Sequence, residues 1–199
     1  SHAVPLYGSR ITPYTDGSSK MEALLGEIAR ARHHIHLQYY IFCDDETGRR
    51  LRDALVEKAR QGVHVRILYD DVGCSGVRKS FFEGMRREGI EVHAFLHVKF
   101  PRFTSKVNYR NHRKIVVIDG RVGFIGGMNI ADRYVRGTEW GSWRDTHFRI
   151  EGSGVAGLQI AFLSDWSATT KRHVSGSEYF PAAQRYTDNI LQIVAGGPL

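Results

Sequence analysis

A chain of 199 residues and 22.6 kDa, 42% hydrophobic and 25% charged, has ordinary globular composition and room for one domain with a real core, or for one domain and part of a second. It holds no apolar run of the roughly eighteen residues that a spanning helix needs, and no signal-peptide pattern opens it. A net charge of +7 and a pI near 9.6 favour a polyanionic partner, either nucleic acid or an anionic phospholipid surface, without separating the two.

Ser1-His2 reads as the remnant of a cleaved tag, and residues 1–13 as a lead-in to a domain over residues 14–166. Lys20 to His33 predicts a helix, with Met21, Leu24, Leu25, Ile28 and Ala29 at helical spacing and Ser18 or Ser19 as cap. Ile35, Leu37, Tyr39 and Ile41 alternate as a strand does. Thr47 begins a second helix through Leu51, Leu55 and Ala59, which Gly62 stops. Val63, Val65, Ile67 and Tyr69 alternate again; a third helix is predicted from Ser75 to Arg87, then a strand at Ile90, Val92 and Phe95. This strand-helix alternation predicts an α/β fold with a largely parallel sheet. Ile115–Ile118 and Val122–Ile125, joined by Asp119-Gly120, predict a hairpin, so the sheet as a whole is mixed. A strand over Thr146–Ile150 and a helix over Val155–Trp166 follow. Residues 167–199 read as a polar linker and then, at Ile190, Leu191, Ile193 and Val194, as the opening strand of a second unit, so the chain is expected to be an excised part of a longer protein.

The densest chemistry lies at Asn111-His112-Arg113-Lys114. Residues i and i+2 of a strand share a face, so His112 and Lys114 point into one site. An imidazole there can attack phosphorus, and an ammonium can hold the equatorial oxygens. Gly126-Gly127-Met128-Asn129 adds paired glycines, which allow close backbone approach or positive φ and whose amides could form an anion nest, together with a neutral donor in Asn129. Asp145 could orient an imidazole, as the third group of a triad does, and His147 is read as a structural or substrate-side histidine, with a second acid-base role as the alternative.

The set gives nucleophile His112, donors Lys114 and Asn129, and orienting carboxylate Asp145. It requires no metal and no cofactor, because Lys114 supplies the charge compensation. The leaving alkoxide needs an acid on the side opposite the attacking nitrogen, and His112 cannot occupy both sides. Asp44-Asp45 and Asp70-Asp71 follow strand ends, where capping is the plainer reading, metal binding the weaker one, and contact with a hydroxyl-bearing or cationic substrate group a third for Asp70. Tyr40 is a pocket-wall candidate beside Tyr39. Arg144 belongs to a basic rim with His93, His97, Lys99, Arg102, Lys106, Arg110, Arg113 and Arg121. His33, His34 and His36 are read as packing histidines, and Cys43 and Cys74 as free thiols with no zinc-site spacing.

His112-x-Lys114-x4-Asp119 followed by Gly126-Gly127-Met128-Asn129 resembles the HKD motif of the phospholipase D superfamily. Together with His36–Phe42, Ile67–Asp71 and Trp143–His147, it resembles most the first half of the bacterial cardiolipin synthases, over roughly Tyr14 to Trp166. The resemblance implies a mixed sheet with helices on both faces, present twice about a pseudo-twofold, with one HKD motif from each half. One histidine becomes a phosphohistidine and the other acts as acid, while Asp119, Gly126 and Gly127 are structural. It implies the joining of two phosphatidylglycerol molecules with release of glycerol, an anionic phospholipid substrate, and a bacterial inner-membrane location with a peripheral or cytoplasmic-side catalytic domain, this piece itself being soluble.

Only one such motif is present. Its partner is therefore a second half of the parent chain or a homodimer mate. The alternatives are a metal-independent phosphodiesterase or endonuclease active as a homodimer, and a non-catalytic module for anionic lipid or nucleic acid.

Overall fold

The structure is a computed structural model that describes residues 8–95, 114–137, 139, 141 and 145–186. His112, Arg144, the rim residues from His97 to Arg113 and the predicted strand at Ile190–Val194 lie outside the described residues.

Seven strands form one sheet in the order β1-β7-β6-β5-β2-β3-β4. They are β1 (Ser9–Tyr14), β2 (His34–Tyr39), β3 (His64–Asp70), β4 (Glu91–Phe95), β5 (Ile115–Ile118), β6 (Val122–Gly126) and β7 (His147–Gly152). β2, β3 and β4 run parallel, while β1, β7, β6, β5 and β2 pair antiparallel in succession. The sheet is mixed because the two helical crossovers stop at β4 and the chain then returns through the β5-β6 hairpin.

The helices are α1 (Gly17–Ala29), α2 (Glu46–Arg60), α3 (Lys79–Arg87), α4 (Asp132–Arg136) and α5 (Val155–Thr170). β2 is buried along its whole length and shows how the two layers are built. Ile35, Leu37 and Tyr39 join the larger core with Leu24, Ile28, Leu51, Leu55 and Phe82 of α1, α2 and α3. His36 faces the other way, where its ring stacks on Phe162 of α5 at 4.5 Å, and Gln38 bonds Asp165 there. Val155, Leu158, Phe162 and Trp166 give α5 its buried stripe, each such side chain contributing about 1.5–3 kcal/mol by leaving water. Helices thus cover both faces of the sheet.

Several boundaries differ from those expected. β1 occupies part of the presumed lead-in: residues 9–14 are an edge strand on β7, with Ile11 buried opposite Ile150. The cap of α1 is Asp16, whose carboxylate accepts from the Ser19 amide at 2.8 Å, so Ser18 and Ser19 fall inside the first turn. α3 begins at Lys79 and not at Ser75, because the chain continues in turns past the Asp70 cap of Val72 and Gly73, with the Ser75 amide on Val72 O at 3.2 Å and the Val77 amide on Cys74 O at 2.9 Å. α5 runs to Thr170, through the start of the presumed linker, and Tyr179 packs on His33, His34 and His36 beyond it. The linker therefore folds back onto the domain before residue 187. The five-residue α4 carried no periodicity to announce it.

Both thiols are free. Cys74 accepts from the Phe42 amide at 3.3 Å, and burial pushes its thiol up to about 12.

Candidate active site

The site forms where β5 begins and β6 ends. Lys114 immediately precedes β5, and the register Ile115–Ile125 places it beside Gly126, which pairs in turn with His147. Three neighbouring strands thus present Lys114, Gly126 and His147 in a row at one end of the sheet. Lys114 is 9% exposed. Burial lowers the proton affinity of its ammonium, and the nearby Asp145 carboxylate partly offsets this.

The glycines are explained by close approach, since neither Gly126 nor Gly127 has a positive φ. A Cβ on Gly126 would lie 2.5 Å from the Thr146 carbonyl oxygen and 2.7 Å from His147 Nδ1. One on Gly127 would lie 2.1 Å from Asp145 Oδ1. The expected anion nest is not present at these amides: Gly127 N–H donates to Thr146 O at 3.0 Å and Met128 N–H to His147 Nδ1 at 3.2 Å. Gly127 continues the pairing with β7 one step past Gly126, and the Met128 amide is taken up by the His147 ring. The glycines therefore bring Asp145 against the motif, and the donors left for an anion are side chains.

Asn129, 5% exposed, is the candidate side-chain donor from the sequence. Its Oδ1 accepts from the Ile41 amide at 3.0 Å, and its Nδ2 donates to the Tyr134 hydroxyl at 3.0 Å. A backbone N–H can only donate, so the carboxamide orientation is set by chemistry, and the second N–H of Nδ2 lies outside these two bonds. Asp145 Oδ1 accepts from its neighbour Thr146 N–H at 2.8 Å.

His147 is fully buried. Burial, followed by the ammonium groups of Lys20 and Lys114, holds its pKa well below the usual imidazole range. With Nδ1 accepting from Met128, the neutral ring carries its proton on Nε2, for which the described residues offer no hydrogen-bond partner. Burial and the bond from Met128 favour the structural reading of His147 over a second acid-base role. Asp70, at 2% exposure, shares Oδ1 between two turn amides at 2.9 and 2.8 Å and so caps its own turn. Tyr40 is half-buried on the same rim, its carbonyl against Gly73 and the Cys74 thiol. Asp45 caps α2 through the Gly48 amide and also accepts from the Asp132 amide, while Asp44 pairs with Arg49.

At the opposite end of β5, Asp119 accepts from three backbone amides of the α1-β2 connection: Arg32 at 2.9 Å, His33 at 2.8 Å and His34 at 3.1 Å. Its backbone is left-handed, with φ of 56°. Asp119 is thus a staple between β5 and β2, remote from Lys114.

Two residues gained no role from their sequence positions. One is Tyr134, the partner of Asn129. The other is Lys20 of α1, 1% exposed, which donates to the Tyr39 hydroxyl at 2.9 Å and, for want of solvation, has its pKa lowered to about 7. A lysine placed at the polar start of an amphipathic helix reads as solvated, and only the docking of α1 on β2 buries it. Because its folded-state pKa is lowered, the unfolded chain binds more protons between pH 7 and pH 10. Stability contributed here is present above about pH 10 and lost as pH falls toward 7. Denaturant unfolding of the wild type and of Lys20→Met should therefore show the stability of the wild type, relative to the variant, rising by about 4 kcal/mol over that interval. Parallel pH profiles would show that Lys20 is solvated.

Comparison with known proteins places this geometry. A family model described as "Cardiolipin synthase, PLD-like domain" matches residues 24–142. The chain is 42% identical over 201 residues to the major cardiolipin synthase ClsA of Bacillus subtilis, covering 100% of this chain and 42% of that protein. It is 46% identical over 187 residues to cardiolipin synthase 2 of Bacillus cereus, covering 92% of this chain and 36% of that protein. The chain thus spans about two fifths of the length of the curated relatives it matches. Among solved structures, NucT from Helicobacter pylori superposes with a TM-score of 0.64 at 15% identity, over 81% of this chain and 98% of that one. Nuc from Salmonella typhimurium, a phospholipase D family member, superposes with a TM-score of 0.61 at 16% identity, over 84% of this chain and 99% of that one. These two similarities bear on the fold alone.

Proposed function

The chain belongs to the cardiolipin synthase, PLD-like domain family, and from that premise we propose that it supplies one side of the active site of a phosphatidyltransferase that makes cardiolipin from two phosphatidylglycerol molecules and releases glycerol. The single observation that carries this reading is the meeting of the buried Lys114 ammonium with the Asp145 carboxylate where β5 begins and β6 ends, two residues after His112 in the chain and with Asn129 two residues past the Gly127 that lies against Asp145.

In this mechanism His112 attacks the phosphorus of one phosphatidylglycerol. The P–O bond to glycerol breaks and a phosphohistidine forms. The glycerol alkoxide takes a proton from an acid on the far side. The hydroxyl of a second phosphatidylglycerol then attacks the phosphohistidine, losing its proton to that same group, and His112 leaves. Lys114 and the second N–H of Asn129 stabilise the charge on the equatorial oxygens, and Asp145 orients and stabilises the His112 ring. The basic rim, Arg144 included, gathers the anionic lipid, with Tyr40 on the wall; Arg121 is no part of it, since it pairs with Glu27 at 3.0 Å beside Asp119, at the other end of β5. The far-side acid is the histidine of a second HKD unit in the complete protein, whose relatives are more than twice as long. A location at the bacterial inner membrane goes with this substrate. Among the described residues no helix is long and apolar enough to cross a membrane, so contact with lipid is assigned to the rim.

A second reading is favoured by size. The solved relatives of matching fold are covered almost end to end by this chain, so two copies could pair their His112 residues, as a phosphodiesterase or endonuclease.

The test uses single-turnover trapping of radiolabelled enzyme with phosphatidylglycerol micelles, on the complete protein and on this chain, with mass measured in solution. The complete protein is expected to form an acid-labile phosphoenzyme that His112→Ala abolishes, and the monomeric chain is expected to turn over nothing. Unchanged label in the variant would remove His112 from the attacking role. Robust turnover by a verified monomer would sink the half-site reading, and chelator-resistant DNA cleavage by a dimer would establish the second reading instead.

A further inference from the structure

The donor geometry at Asn129 is imposed by a residue outside the HKD motif. We propose that the Tyr134 hydroxyl is a positioning group that aims the carboxamide of Asn129 at the phosphoryl oxygens; this rests on the reading above, in which Asn129 is a donor to the reacting phosphate. Two fixed points determine the orientation of a planar carboxamide. The first is the Ile41 amide, which donates to Oδ1 at 3.0 Å and so prevents a flip, because a flipped group would bring two donors face to face. It leaves rotation about the Oδ1 contact open. The second point is Tyr134 Oη, which accepts one N–H of Nδ2 at 3.0 Å and closes that rotation. What remains is the other N–H of Nδ2, whose direction in the amide plane is then determined.

The hydroxyl is a useful fixed point only if Tyr134 is itself held, and the structure holds it from two sides. The amide of Asp132, at the start of α4, donates to the Asp45 carboxylate at 2.7 Å, and the Asp132 carboxylate accepts from the Thr47 amide at 2.7 Å, so α4 and α2 cap each other reciprocally. From the other side α1 starts against α4: a Cβ on Gly17 would lie only 1.7 Å from the Tyr134 carbonyl oxygen. The Tyr134 ring is buried with Met128 and Ala131. The position of one catalytic donor is thus transmitted from the N-termini of two helices, through a single phenol, to Nδ2. Orientation of this kind acts on the transition state, where charge builds on the phosphoryl oxygens, more than on the bound lipid.

The experiment is a double-mutant cycle in the complete protein, with Tyr134→Phe, Asn129→Ala and the double variant, measuring kcat and KM for phosphatidylglycerol in mixed micelles. Tyr134→Phe removes one oxygen and is expected to lower kcat about tenfold with KM within about twofold. In the Asn129→Ala background the same change is expected to cost nothing further, because the group it positions is gone. Losses that multiply in the double variant, or a Tyr134→Phe enzyme with unchanged kcat beside an impaired Asn129→Ala enzyme, would overturn the positioning role alone. Full kcat in Asn129→Ala would overturn the reading of Asn129 as a donor, and this inference with it. Melting curves of all four proteins set the assay temperature below the lowest transition, so that a merely less stable variant is still compared as folded protein.

Discussion

Lys114→Met in the complete protein is expected to lower kcat by about 100- to 1,000-fold while leaving the melting temperature unchanged or raised. The two halves of this expectation have one cause. Lys114 is nearly buried, and the loss of solvent around its ammonium outweighs the help it receives from Asp145. A charge whose desolvation exceeds its compensation costs the folded state, so an apolar side chain of similar length removes a cost. In the reaction the same charge meets the oxygens of a phosphoryl group, where a preorganised cation in a water-poor site acts most strongly. A variant that keeps more than about a tenth of its kcat would take charge compensation away from Lys114. A melting temperature that falls by several degrees would make the ammonium a structural group.

Asp119→Ala is expected to do the opposite, with stability lost by about 3 kcal/mol and the transition lowered by about 10 °C, whereas kcat per folded molecule stays near the wild-type value. Three amides lose a charged acceptor at once, and alanine tolerates the left-handed backbone of this turn poorly. Asp119→Asn should fall between the two. Its single carbonyl oxygen can serve His33 and His34, which share Oδ1 in the native protein, but its amide nitrogen would face the Arg32 N–H. Thermal melting orders the three proteins, and an alanine variant within about 2 °C of the wild type would show that the staple is dispensable.

Much of this was legible in the sequence, and the exceptions share a physical origin. β2 and β3 announce themselves by the alternation of their apolar residues, and β5 and β6 by short apolar runs joined at Asp119-Gly120. β1 did not: only Ile11 is both apolar and deeply buried within Ser9–Tyr14, and an edge strand containing Pro13 has no periodicity to show. α4 is too short for periodicity and is held by Asp45 and Thr47, some 85 residues away in the chain. The residue types of the site, Lys114, Asn129 and Asp145, stood out by spacing. What spacing cannot give is which donors are already occupied. The Gly127 amide is occupied by strand pairing and the Met128 amide by the His147 ring, and the side chains of Lys20 and Tyr134 acquire their partners only once α1 and α4 dock. The sequence reading of an anion nest at the Gly127 amide failed for that reason.

The staple at Asp119 gives the spacing of the motif a physical length. Between Lys114 and Asp119 the chain crosses the sheet on the four residues of β5, about 16 Å of extended backbone at ~3.3 Å per residue. With one end pinned to the α1-β2 connection and the other carrying Lys114 beside Asp145, β5 behaves as a gauge bar cut to size. One residue more or fewer within it would either pull the carboxylate off its three amides or turn Lys114 to the other face of the sheet. The four unspecified positions of the motif are therefore constrained in number although free in identity. Drift in their side chains alters packing by degrees, whereas a single insertion disables either the anchor or the aim.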